Sequence, residues 1–154
     1  ALILSRQNIK NLPTLGRARR EEAAQVSKGG YVVMDAAKPA AVLVATGSEV
    51  ATLVEGAELL AQEGIAVRVV NVPSEGLFRD QPKSYQESVL PSGIVRYGLT
   101  SGLPVNLLGL VGESGMIHGL DHFGFSAPYK VLDEKFGYNG VTVAAEVKKL
   151  LRKK

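Results

Sequence analysis

The feature that most constrains this chain is a strand–helix–strand pattern over residues 41–72. Ala41-Val42-Leu43-Val44-Ala45 is apolar at every position, as a strand covered on both faces must be. Thr46 and Glu49 follow at the spacing of a capping box, so a helix is expected to begin there. Val50, Leu53, Val54, Ala57, Leu60 and Ala61 then recur on one helical stripe, which gives the helix a single face to bury. Gly64 supplies a left-handed stop. Ile65 to Val72 is rich in Val and reads as a second strand. Two strands joined by one helix with short turns make a βαβ unit, which requires parallel strands and a right-handed crossover.

The remaining residues are read on the same terms. Tyr31 to Met34 is a short apolar segment suited to an edge strand. Pro82 to Leu90 predicts a short helix ended by Pro91. Gly93 to Leu99 and Leu107 to Val111 are strand candidates. Residues 112–124 carry Gly at 112, 115, 119 and 124 and read as a loop. Ser126 is expected to cap a helix with Tyr129, Leu132 and Phe136 on its apolar face, stopped by Gly137. Thr142 is expected to open a last helix burying Val143, Val147, Leu150 and Leu151. Residues 10–27 are polar and of mixed charge, with room for one helical turn. Strands alternating with helices predict an α/β three-layer sandwich.

Composition removes several classes of function. At 154 residues the chain suits one domain with one core. It has no Cys, so neither a disulfide frame nor a thiolate metal site is available, and a reducing, cytoplasmic compartment is the expectation. The net charge of +3 does not point to nucleic acid. No apolar run approaches the roughly 20 residues that cross a bilayer. No leader is expected at the Ala1-Leu2-Ile3-Leu4 start, and the missing initiator Met suggests a piece of something larger.

Specific motifs are also missing. No two glycines are separated by a single residue, so the dinucleotide turn is absent, and no Gly-Lys-Ser/Thr makes a phosphate loop. Gly112-Glu113-Ser114-Gly115-Met116 resembles a nucleophile elbow but has Met where the second Gly must be. His118, Asp121 and His122 sit among glycines, a spacing that does not converge metal ligands. The basic end at Lys148, Lys149, Arg152, Lys153 and Lys154 suits the negative end of a helix. Arg17, Arg19 and Arg20 are followed by Glu21 and Glu22, which weakens a phosphate reading. The Thr46-Gly47-Ser48 turn could hold an anion at a helix start, although Glu49 already brings a carboxylate there.

A collinear series of strings resembles one family. Ala1-Leu2-Ile3-Leu4-Ser5-Arg6-Gln7-Asn8 is similar to the strand end that closes the pyrimidine-binding domain of transketolases. Lys28-Gly29-Gly30-Tyr31-Val32 resembles the start of their C-terminal domain. Ala45-Thr46-Gly47-Ser48-Glu49-Val50 and Arg68-Val69-Val70-Asn71-Val72-Pro73-Ser74 resemble its first strand-to-helix turn and second strand. Tyr85 to Pro91 is similar to the helix after that strand. Gly119-Leu120-Asp121-His122-Phe123-Gly124-Phe125-Ser126-Ala127-Pro128 and Phe136-Gly137-Tyr138 resemble the late glycine-rich motif and its aromatic stop. The chain departs from the family pattern after Ile94-Val95-Arg96. An acidic residue, small residues and a Trp are usual there, whereas Tyr97-Gly98-Leu99-Thr100-Ser101-Gly102 stands here. The polar stretch from Lys10 to Ser27 also looks longer than is typical.

The resemblance implies a fold and a role. The fold is a three-layer α/β/α sandwich on a mostly parallel five-stranded sheet. Residues 1–8 would end the upstream pyrimidine-binding domain, 9–30 would be a linker, and 31–154 would be the C-terminal domain. The family moves a two-carbon ketol unit between sugar phosphates, with the carbanion chemistry supplied by thiamine diphosphate and Mg or Ca in a homodimer. The Gly-Asp-Gly of the cofactor site and the acidic residue that activates the thiazolium belong to upstream domains. This chain is therefore expected to bind no cofactor or metal and to be inactive alone, its role being structural. Its partners would be the upstream domains and the dimer, with no nucleic acid and no membrane. The resemblance assigns one site residue: Arg6, matching an arginine that clamps the sugar phosphate, a task suited to a bidentate guanidinium. An alternative role is a free-standing interaction or regulatory module, as this fold serves in the β subunits of 2-oxoacid dehydrogenases.

Overall fold

The computed structural model describes residues 8–16 and 18–153. Within that span a five-stranded sheet runs in the order β1-β3-β2-β4-β5. The strands are β1 (Tyr31–Met34), β2 (Ala41–Ala45), β3 (Val67–Asn71), β4 (Val95–Leu99) and β5 (Met116–His118). β1 pairs antiparallel with β3 at one edge, and the other pairings are parallel. The sequence-based sandwich and its mostly parallel sheet are what the structure shows.

The two faces of the sheet are covered by different helices. Helices α2 (Glu49–Gln62) and α7 (Gly140–Arg152) pack on the face that presents Ala41, Leu43, Ala45, Val69 and Tyr97. Helices α3 (Glu75–Arg79), α4 (Lys83–Val89) and α5 (Val105–Val111) lie on the opposite face. There Phe78, Val89, Leu107, Leu110 and Val111 meet Val42, Val44 and Val70. All five β2 side chains are fully buried, which is why that strand is apolar throughout. α2 and α7 approach closely because glycine stands at their crossing. A Cβ on Gly56 would come 2.5 Å from Val143 Cγ1, and one on Gly140 would come 2.8 Å from Glu55 Cβ.

The stretch before β1 is more structured than one turn. Residues 8–13 run along α2, where Lys10 pairs with Glu55 and Leu12 packs on the core. Helix α1 (Arg19–Ala23) and a 3₁₀ segment (Ala24–Lys28) then lead to Gly29 in the left-handed region at φ 80°.

Several local expectations are corrected. The Thr46–Glu49 capping box does not form: α2 starts at Glu49, with Ser48 as its N-cap and no side-chain cap. Gly47 at φ 66° delays the helix, which leaves Glu49 in its first position instead of its third. Leu107 to Val111 is not a strand but the end of α5. A short apolar run does not by its periodicity distinguish strand from helix. Pro104 at the N-cap and the Leu107/Leu110/Val111 spacing favour the helix here. The expected loop at 112–124 contains β5, paired from Tyr97↔Met116 to Leu99↔His118. Two of its four glycines are packing residues: a Cβ on Gly115 would lie 2.5 Å from Arg96 O, and one on Gly119 would lie 2.8 Å from Gly102 O. α6 (Tyr129–Phe136) begins after Pro128, without a cap from Ser126, and stops at Gly137 as expected. α7 is capped by Asn139, whose Oδ1 accepts from Thr142 N at 2.9 Å, so the helix opens two residues before Thr142.

Candidate functional site at the C-terminal edge of the sheet

Open α/β sheets bind ligands beyond the carboxyl ends of their strands, where the strand order reverses. Here the chain goes from β2 outward to β3, then crosses to β4 on the other side of β2. The reversal therefore lies between the turn at Thr46–Glu49 and the turn that follows Leu99. Tyr138 is bonded to one of these sides and feels the charge of the other. Its hydroxyl donates to Thr100 O at 2.8 Å, and burial together with the nearby Glu49 carboxylate pushes its phenol up to about 12. The same carboxylate and burial raise Asp133 above the ordinary carboxylate range. An anion arriving at the start of α2 would meet Glu49, so the Thr46–Ser48 turn faces a negative field.

Beside Tyr138 is a closed polar triad. His118, the last residue of β5, points Nδ1 at Glu146 Oε2 (3.1 Å) and Nε2 at Phe136 O (2.8 Å). The Tyr97 hydroxyl donates to the same Glu146 oxygen at 2.6 Å. Burial and the Glu146 hydrogen bond push the Tyr97 phenol strongly upward. The bond to His118 holds Glu146 below the usual carboxylate range, with help from Tyr97 and Lys149. In return the Glu146 hydrogen bond raises His118 above its ordinary value. The side chains of His118 and Glu146 are only 16% and 30% exposed. Tyr97 and His118 meet on one Glu146 oxygen, and His118 also reaches Phe136 O, which makes the group a tie between β4, β5, α6 and α7.

The loop that follows β5 is the opposite case. Leu120 N donates to Gly102 O at 3.0 Å, which lays the loop against the turn after β4. Beyond that point its large apolar side chains face outward. Phe123 is 94% exposed and Phe125 55%. Phe125 keeps only ring contacts to His122 and Phe136 and a cation–π contact from Lys135. Leu103 and Val105, in and just after the turn that follows β4, are more than half exposed, and so is Val131 on α6. These five large apolar side chains are left facing solvent.

The positions singled out from the sequence fare differently. Arg6, the one assigned site residue, lies outside the described residues, as do Arg17 and Lys154. His118 and His122 do not converge: His122 turns its Nδ1 to Phe123 O at 2.7 Å. Among the described residues no group of three or more His, Cys, Asp or Glu is placed to hold a metal ion. Ser114, in the failed elbow, lines a cleft of about 740 Å³ with Glu113 and Lys153. That cleft opens at the amino ends of β4 and β5, away from the polar edge. The triad was missed, although Glu146 left a signal. It falls one turn after Val143 on the stripe that continues through Val147 and Leu150, and a carboxylate on a buried face needs a partner.

A model of the Transketolase-like TK C-terminal domain matches residues 29–139. The chain belongs to the transketolase family. It is 41% identical over 150 residues to the plasmid transketolase of Cupriavidus necator, covering 97% of this chain and 22% of that protein. Identity to transketolase 1 of Escherichia coli K12 is 40% over 153 residues, covering 98% of this chain and 22% of that protein. Among solved structures, a transketolase variant from Pichia stipitis superposes with a TM-score of 0.81 at 29% identity, over 96% of this chain and 20% of that one. The chain thus spans about a fifth of the length of the transketolases it matches. No helix among the described residues is long and apolar enough to cross a membrane.

Proposed function

We propose that this chain is the structural C-terminal portion of a transketolase, docking on the rest of that enzyme and taking no part in the chemistry by itself. The observation that carries this reading is the apolar C-terminal edge. A chain with a complete two-sided core still presents Phe123, Phe125, Leu103 and Val105 to solvent. Residues 31–154 would make up the C-terminal domain. Residues 9–30 connect it to the enzyme body, to which residues 1–8 belong.

The whole enzyme would transfer a two-carbon ketol unit between sugar phosphates of the pentose phosphate pathway as a homodimer. Thiamine diphosphate with a divalent metal would stabilise the carbanion. The described residues do not suit that cofactor. They offer no convergent set of metal-ligating side chains, and the acidic member of the triad is already bonded to His118 and Tyr97. No step is assigned to this chain beyond holding its neighbours in place. Arg6 would contribute one guanidinium to the sugar phosphate in the assembled enzyme.

The test is reconstitution. This chain is mixed with a transketolase that lacks its own C-terminal domain, and ketol transfer and co-migration are followed. Restored turnover that is lost on Phe123→Ser plus Phe125→Ser supports the reading. Failure of the two pieces to associate, with this chain a stable monomer of its own, overturns it.

A further inference from the structure

We propose that His118 is held as an imidazolium that clamps the base of the 119–136 excursion, and that the clamp opens when the ring loses a proton. Both ring nitrogens face acceptors. Phe136 O, 2.8 Å from Nε2, has no proton to give. Glu146 Oε2, 3.1 Å from Nδ1, already accepts the Tyr97 hydroxyl. A neutral imidazole has one N–H and one bare nitrogen, so either tautomer would set a lone pair against an acceptor. Placing the proton on Glu146 would satisfy Nδ1, but it would discharge a carboxylate that the Tyr97 hydroxyl and Lys149 both stabilise as an anion.

The clamp sits where it has leverage. His118 ends β5 and Phe136 ends α6, so the Nε2 bond joins the two ends of the excursion that carries Phe123 and Phe125. A second tie runs beside it from the Tyr138 hydroxyl to Thr100 O, with the Tyr138 ring edge-on to the imidazole at 5.1 Å. The groups facing this region are Glu146 from α7 with Lys149 behind it, Tyr97 from β4, Tyr138 after α6, Glu49 at the start of α2 and Asp133 on α6. Glu146 is the group hydrogen-bonded to the ring, and it favours the charged form.

Proton loss removes one of the two bonds and the ion pair. The anionic Glu146 keeps the remaining N–H on Nδ1, so the bond lost is the one from Nε2 to Phe136 O, and the excursion opens at its base while the sheet, built on apolar contacts, stays formed. This inference goes beyond the docking role and does not need it, because it is read on the chain alone.

The chain has two histidines, so the His122→Gln variant leaves one imidazole signal to follow by NMR against pH. In parallel, hydrogen exchange of the 119–136 peptides is measured across the same pH range, corrected for intrinsic rates. The expected midpoint lies above the ordinary imidazole value of 6.5, and Glu146→Gln lowers it. Protection of the 119–136 peptides is lost as pH passes the midpoint, while that of β2 and α2 is retained. A midpoint at or below 6.5, a midpoint unmoved by Glu146→Gln, or protection unchanged through the midpoint each overturns the clamp. Should Glu146→Gln not fold, the wild-type titration and exchange still decide.

Discussion

The unit at 41–72 and the segment at 112–138 have similar lengths and are held by different forces. In the first, each residue's role follows from its neighbours in sequence: a continuous apolar strand, a striped helix, a left-handed glycine, a second strand. Burial is nearly complete, and the cost of ordering is met by apolar contact. In the second, a three-residue strand and a short helix are tied by Tyr97 on β4, His118 on β5, Tyr138 after α6 and Glu146 on α7. Phe123, Phe125 and Val131 face outward, and only Met116, Ile117 and Tyr138 lean on the core. The comparison teaches that the first region can stand by its own packing. The second is positioned by polar ties and leaves its apolar surface for something else.

That contrast can be broken by substitution. The largest effect is expected in the first region. Leu53, fully buried, should cost about 2–5 kcal/mol on change to Ala, read as a lower urea midpoint for the whole chain. In the second region, Gly115→Ala should cost about 1–3 kcal/mol, because the new methyl meets Arg96 O at 2.5 Å. Gly124→Ala, with open space around it, should stay within about 0.5 kcal/mol. Equal effects at the two glycines would return this segment to an ordinary loop.

The pH dependence has a defined sign. His118 is raised in the folded chain, so its contribution is complete below the unfolded imidazole value and is lost as pH rises through the raised one. Glu146 is lowered, so its contribution is present above the unfolded carboxylate value and is lost as pH falls through the lowered one. Thermal melts should therefore show a plateau between these limits, and His118→Gln should remove its alkaline shoulder. The smallest effect is at a cap. Asn139→Ala should cost about 1 kcal/mol, whereas Ser126→Ala and Thr46→Ala should cost close to nothing, since neither side chain caps a helix.

How far each region was legible follows from the same physics. The parallel pairing within the unit at 41–72 and the α2 stripe were readable because period and length carry them. The end of α5 was mistaken for a strand because Leu107-Leu108-Gly109-Leu110-Val111 is too short for its period to separate strand from helix, and Pro104, just upstream, was the missed signal. β5 was hidden by the flanking Gly115 and Gly119, which look like turn residues but stand where Arg96 O and Gly102 O leave no room for a side chain. The triad could not be assembled from sequence, since 28 residues separate His118 from Glu146 and only the tertiary fold brings them together. The family strings were legible because they keep their order along nearly the whole chain. Arg6 rests on those strings.

The most direct measurement for the central claim is a calorimetric titration of this chain with thiamine diphosphate and Mg²⁺, run beside an assay for ketol transfer from xylulose 5-phosphate. The account expects no heat beyond dilution and no turnover. Micromolar binding, or turnover by the isolated chain, would contradict it.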